Sequence, residues 1–227
     1  MKHRQPRARW GSFVAALTVL LGLVVYAGLR LTEDAGPEDF GAPLEPRPTT
    51  TSLAPSGPPA RPSAPGAESS SNPSGAVQPS PALLVIPRLG VEAPIDAVGV
   101  AADGATEVPQ DARRVGWYRF GPAPGAAEGS SVIVGHVDSK SQGLGVLAEL
   151  RHVGRNDRVE VRGEDGASRV YRITSRETVP KQELADSGVF RRNGPHVLSM
   201  ITCTGPYHKD RGGYQDNLVV TAVPESS

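Results

Sequence analysis

The chain has 227 residues, of which 24 are basic and 24 acidic, so its formal net charge is zero. That balance, with no stretch in which basic and aromatic side chains interleave, excludes the electrostatic footprint of a nucleic-acid-binding protein. A single cysteine excludes an internal disulfide, and 26 glycines with 22 prolines speak against long helices.

Residues 1–10 carry Lys2, Arg4, Arg7 and Arg9. Residues 11–31 follow, and from Gly11 to Leu29 no side chain is charged. A helix over this stretch is long enough to cross roughly 30 Å of hydrocarbon. The basic residues before it predict a cytoplasmic N-terminus, with all that follows the span lying outside the membrane. A single-pass transmembrane signal-anchor is therefore expected over 11–31. One rival is a cleaved signal peptide, against which stand the length of the apolar run and the lack of a clear small-x-small site after it. A buried core helix is the third reading.

Residues 32–80 are rich in Pro, Ser, Ala, Gly and Thr, as in Pro55-Ser56-Gly57-Pro58-Pro59. Too few apolar side chains are present to offset the entropy of ordering them, which predicts a disordered linker that tethers a domain away from a membrane.

Residues 81–227 are long enough for one domain with a single core. Strand-like runs recur between turn signals at 82–87, 91–98, 130–136, 157–161, 169–174, 197–203 and 218–223. Several alternate apolar and polar residues, as half-buried strands do. Gly163-Glu164-Asp165-Gly166 reads as the turn of a hairpin. The one helical stretch is short, at 145–150. The expected fold class is all-β, a barrel or a sandwich with one or two short helices.

Cys203 closes the apolar run Val197-Leu198-Ser199-Met200-Ile201-Thr202 and precedes Thr204-Gly205-Pro206. A lone thiol there is explained by packing, by pairing between chains or by reactivity. His136 stands in the same context, at the end of Val132-Ile133-Val134-Gly135 and before the polar Asp138-Ser139. If the two strands are neighbours, imidazole and thiol converge on one rim, where the imidazole favours the thiolate and returns a proton to a leaving amine. His136 and Asp138 share a strand face but are too few to hold a metal. No glycine loop in a strand-and-helix context cradles a phosphate.

Taken together, these residues resemble the sortases. Thr202-Cys203 ending Leu198-Ser199-Met200-Ile201 and the upstream Gly135-His136-Val137-Asp138-Ser139 carry the likeness. Leu84-Val85-Ile86-Pro87-Arg88-Leu89-Gly90 is similar to the family's opening strand. Val115-Gly116-Trp117-Tyr118 and Tyr214-Gln215-Asp216-Asn217-Leu218-Val219-Val220 look like class F sortases of actinobacteria. The resemblance implies an eight-stranded β-barrel and a transpeptidase that uses neither metal nor cofactor. Cys203 would attack the Thr–Gly carbonyl of an LPXTG-like sorting signal in a secreted protein. His136 would act as acid and then base, and an amine, expected on a peptidoglycan precursor, would take the acyl chain.

The family also uses an arginine near the thiol, often directly before the Asp-Asn pair that corresponds to Asp216-Asn217. Here that position is Gln215, a hydrogen-bonding substitute without charge. The nearest arginine is Arg211, which Gly212 and Gly213 would let fold back over Cys203. The resemblance gives Thr202 a part in substrate binding, and Asp138 is expected to orient the loop of His136 or merely to cap it. A hydrolytic cysteine peptidase and a non-catalytic domain that binds peptides or wall material remain as alternatives.

Overall fold

The computed structural model describes residues 38–44 and 79–225; the expected basic terminus and transmembrane span, and most of the expected linker, lie outside them. Ten strands follow in chain order: β1 (Pro81–Ile86), β2 (Val91–Val98), β3 (Val115–Tyr118), β4 (Ser130–Val134), β5 (Asp138–Ser139), β6 (Gly143–Leu144), β7 (Arg158–Gly163), β8 (Ser168–Pro180), β9 (Val197–His208) and β10 (Gly213–Pro224). Eight of them close a barrel in the order β1-β2-β3-β4-β9-β10-β8-β7, and β5 pairs with β6 apart from it. The pairs β2–β3 and β4–β9 are parallel, and the remaining neighbours in the barrel are antiparallel. Closure removes the unpaired edges that an open sheet leaves exposed.

Alternation along the strands sorts their side chains into two apolar clusters. Leu84, Ile86, Ile133, Leu198, Met200 and Leu218 belong to the cluster that fills the barrel. Val132, Val134, Ile201, Val219 and Val179 point the other way, onto the outer face of β4, β9, β10 and β8. Val189, Leu184 and Phe190, from the connection between β8 and β9, pack over that outer face. Both faces of these central strands are therefore covered, which explains their nearly continuous apolar sequence. The short helix expected at 145–150 is a 3-10 segment, Val146–His152, with Leu147 and Leu150 fully buried.

Residues 39–44 depart from the composition-based expectation of an unstructured linker through 32–80. β8 pairs with β7 only up to Arg172, so one edge of its second half is left open. Phe40 closes that edge: its N–H donates to the Arg176 carbonyl (2.8 Å), and the Arg176 N–H donates back (2.9 Å). The Phe40 ring has the guanidinium carbons of Arg176 and Arg155 at 5.1 and 5.8 Å from its centroid. The Thr178 hydroxyl donates to Asp39 (3.2 Å), and Leu44 packs on the outer cluster. Gly41 takes φ +87° and leaves no room for a Cβ against Thr174 and Ser175. Phe40 is the one aromatic residue in 32–80, so its anchoring is easily lost in a composition dominated by Pro and Ser. Phe40→Ala is expected to lower Tm by about 4 °C through lost ring burial and cation–π contact. An unchanged thermal melt would show that the backbone pairing alone holds the strap.

Candidate active site

β4 and β9 run parallel with Val134 opposite Ile201. Two further contacts fasten the strands where β4 ends. The Gly135 N–H donates to the Ile201 carbonyl (3.1 Å), and the Thr202 hydroxyl donates to the Gly135 carbonyl (2.9 Å). His136 and Cys203 are the first residues beyond this clamp, on strands whose backbones lie about 4.8 Å apart. Val134 and Ile201 belong to the outer cluster, so strand alternation puts His136 and Cys203 on the outer face as well. Both are half-buried. Cys203 is the only cysteine and is a free thiol.

The row continues sideways. Cys203 lies opposite Asn217 of β10, and Asn217 lies opposite Val179 of β8. Asn217 is buried. It shares the face of Val219, two residues on, which is part of the outer cluster. A polar amide thus stands directly beside the thiol.

Burial pushes the Cys203 thiol up from its ordinary range; Lys181 pulls it down, and Asp138 pushes it up further. Lys181 directly follows β8, and its N–H donates to the Gln215 carbonyl (3.0 Å). Because Pro180 pairs with Asp216, this attachment brings the lysine to the end of the outer face where Cys203 sits. The thiol therefore stands between one cation and one carboxylate, with desolvation the largest influence. Its resting form near neutrality is the protonated thiol, and reaction draws on a minority of thiolate.

The other sequence candidates fall elsewhere. Thr202 is buried, on the inward face, and its hydroxyl is committed to Gly135, so it ties β4 to β9. The Gln215 amide donates to the Gly213 carbonyl (2.6 Å) within its own strand, so its donor serves the hairpin. Arg211 lies in a 3-10 turn, Lys209–Arg211, at the tip of the β9–β10 hairpin. β9 does not stop at Cys203 as its turn residues suggest. It continues to His208, with a bulge at Gly205-Pro206 and Tyr207 paired to Tyr214. Tyr207 is four residues, about 13 Å, from Cys203 along an extended strand, and Arg211 comes four residues later, in the turn. Arg211 is exposed and makes no hydrogen bond or ion pair among the described residues. Arg211 is not among the charged groups that act on the thiol.

Three neighbours of the thiol were not found by reading the sequence: Lys181, Asn217 and Tyr214. Tyr214 donates its hydroxyl to Asp138 (2.7 Å), and its ring packs edge-on against Tyr207, with centroids 5.1 Å apart. No local motif marks Lys181, and the run that begins at Tyr214 carries the family resemblance without pointing to Asp138; register across the strands and the hairpin brings both residues to this rim. His196, by contrast, is buried beside Tyr171, with its Nε2 3.1 Å from the Tyr171 hydroxyl, and has no part in this rim.

A model of the sortase domain matches residues 84–225, from within β1 to just beyond the end of β10. Among solved structures, sortase C-1 from Actinomyces oris superposes with a TM-score of 0.50 at 22% identity, over 64% of this chain and 73% of that one. A lid mutant of sortase A from Corynebacterium diphtheriae gives 0.51 at 21% identity, over 69% and 75%. At that identity the structural likeness speaks for the fold. No curated protein matches the sequence significantly.

Proposed function

The chain belongs to the sortase family of cysteine transpeptidases, and from that premise we propose that Cys203 is its acyl carrier and His136 its acid–base group. The observation that carries this reading is the parallel β4–β9 pairing, clamped at Gly135 and Thr202, which delivers imidazole and thiol to one rim of one face. The substrate is a secreted protein bearing an LPXTG-like sorting signal. The Cys203 sulfur forms a bond to the Thr carbonyl carbon, the Thr–Gly C–N bond breaks, and His136 gives its proton to the departing glycine amine. An incoming amine, expected on a peptidoglycan precursor, then attacks the thioester. Its proton passes to His136, the C–S bond breaks, and the thiolate is restored. The thioester keeps the acyl-transfer potential of the peptide bond, so no nucleotide is consumed.

Membership of class F is part of the proposal. Its support is Val115-Gly116-Trp117-Tyr118, which forms β3, and Tyr214 to Val220, which form the start of β10. A single-pass anchor over 11–31, with a cytoplasmic N-terminus and an extracytoplasmic barrel, is proposed on the charge pattern already described.

The developing oxyanion needs donors or a cation near the thiol. Lys181 is the cation whose field reaches Cys203, and we assign it the role that a family arginine would fill. Lys181→Met is expected to slow thioacyl formation about tenfold, and Arg211→Ala by less than about twofold. A greater loss in Arg211→Ala would reverse the assignment.

A sorting-signal peptide incubated with and without a free amine tests the whole reading. Amine-dependent ligation is expected, with a thioacyl adduct on Cys203 visible by intact-mass spectrometry. Cleavage alone would make the domain a peptidase. The lack of any Cys203-dependent product would leave a peptide-binding or wall-binding role.

A further inference from the structure

The rim holds a contact that the acyl-transfer roles leave unused. Residues 136–145 form a small flap with His136 at its root. β5 pairs with β6 through Asp138 and Leu144, and the Gly145 N–H donates to the Val137 carbonyl (2.9 Å). Gly145 lies so close to the His136 carbonyl that a Cβ there would collide with it. The far end of the flap is tied to the barrel by the Val146 N–H on the Ala112 carbonyl (2.8 Å) and the Ala112 N–H on the Gln142 side chain (2.7 Å).

On the side facing the thiol, among the described residues, one side-chain hydrogen bond joins the flap to the β9–β10 hairpin. It runs from the Tyr214 hydroxyl to Asp138 Oδ2 (2.7 Å). The tyrosine is itself fixed, because its ring rests on Tyr207 across the hairpin. The hydrogen bond to Asp138 is the main reason the Tyr214 hydroxyl is pushed up to about 12, so it stays a donor throughout the working range.

Asp138 is otherwise out of place. Its charge opposes the thiolate of Cys203, so whatever it adds to acyl transfer is not activation of the nucleophile. What remains is geometry. We infer that Tyr214 and Asp138 are a positioning pair, whose hydrogen bond latches the His136 flap to the Cys203 hairpin and sets the imidazole–thiol separation. The clamp at Gly135 and Thr202 fixes the base of the flap and the latch fixes its rim, so the segment between them, which begins with His136, is held at two points. Misplacing a reacting group by about 1 Å costs on the order of 100-fold in rate, so even a partial loosening is readable in kcat.

This inference rests on the roles proposed for Cys203 and His136, and the variants separate the two. Tyr214→Phe keeps the ring on Tyr207 and removes only the donor. It is expected to lower kcat at least about fivefold, leave KM for the peptide within about twofold and leave Tm within about 2 °C. Asp138→Ala should match it, and Asp138→Asn, whose amide oxygen still accepts, should recover most of the rate. The Tyr214→Phe, Asp138→Ala double variant should be no slower than the slower single variant. A kcat loss below about fivefold in Tyr214→Phe, or losses that multiply in the double variant, would overturn the latch. If Tyr214→Phe fails to fold, Asp138→Ala against Asp138→Asn makes the same comparison. Cys203→Ala and His136→Ala run alongside: undiminished activity in either breaks the underlying assignment, whereas a loss of at least about 10²-fold in both beside an unimpaired Tyr214→Phe breaks only the latch.

Discussion

Cys203→Ala is expected to abolish the thioacyl adduct and to lower ligation of a sorting-signal peptide by about 10⁴-fold or more. Neither adjacent threonine is placed to substitute. Thr202 faces inward and is bonded to Gly135, and Thr204 pairs with Asp216 one step toward the hairpin, on the opposite face from Cys203. Removing a half-buried thiol costs the fold little, on the order of 1 kcal/mol, so a folded and inactive variant is the predicted outcome. Thermal melts and intact-mass spectrometry after peptide addition check both halves. In the unaltered protein, burial raises the thiol, so alkylation by iodoacetamide should climb through pH values above the ordinary thiol range. Ligation surviving in Cys203→Ala would remove the covalent intermediate from the mechanism.

His136→Ala is expected to slow both acylation and aminolysis by about 10²- to 10⁴-fold, since one imidazole protonates the leaving amine and then deprotonates the incoming one. The distinguishing measurement is alkylation of Cys203 in the same variant. The thiol is half-exposed in its own right, so it should still react with iodoacetamide while peptide turnover is lost. Partial recovery of turnover by added imidazole would support a proton-transfer role. Parallel loss of alkylation and turnover would instead mean that His136 acts by holding the thiol in place.

The local sequence around Cys203 and His136 was legible, and the long-range geometry that surrounds them was not. Cys203 and His136 were singled out because each closes an apolar run, and the parallel pairing of Val134 with Ile201 brings those positions together. Strands at 91–98 and 130–134 also stood out, since alternation or an unbroken apolar run marks them. β3 was harder to see as a strand: Val115–Tyr118 is four residues long with Gly116 inside it. The largest miss was the length of β9. Gly205-Pro206 reads as a turn, yet the ladder absorbs both residues in a bulge and runs on to His208. That continuation carries Arg211 to a hairpin tip and seats Tyr214 beside Asp138. Lys181 was out of reach of local pattern for a related reason: its position depends on β8 running to Pro180, well past the hairpin predicted at 157–174.

The seating of Phe40 on β8 changes what the N-terminal region can do. Residues 39–44 are held by the barrel, and residue 81 opens β1. A barrel cut back to Pro81 therefore loses the Phe40 pairing and leaves the second half of β8 with an open edge, to which another chain could add a strand.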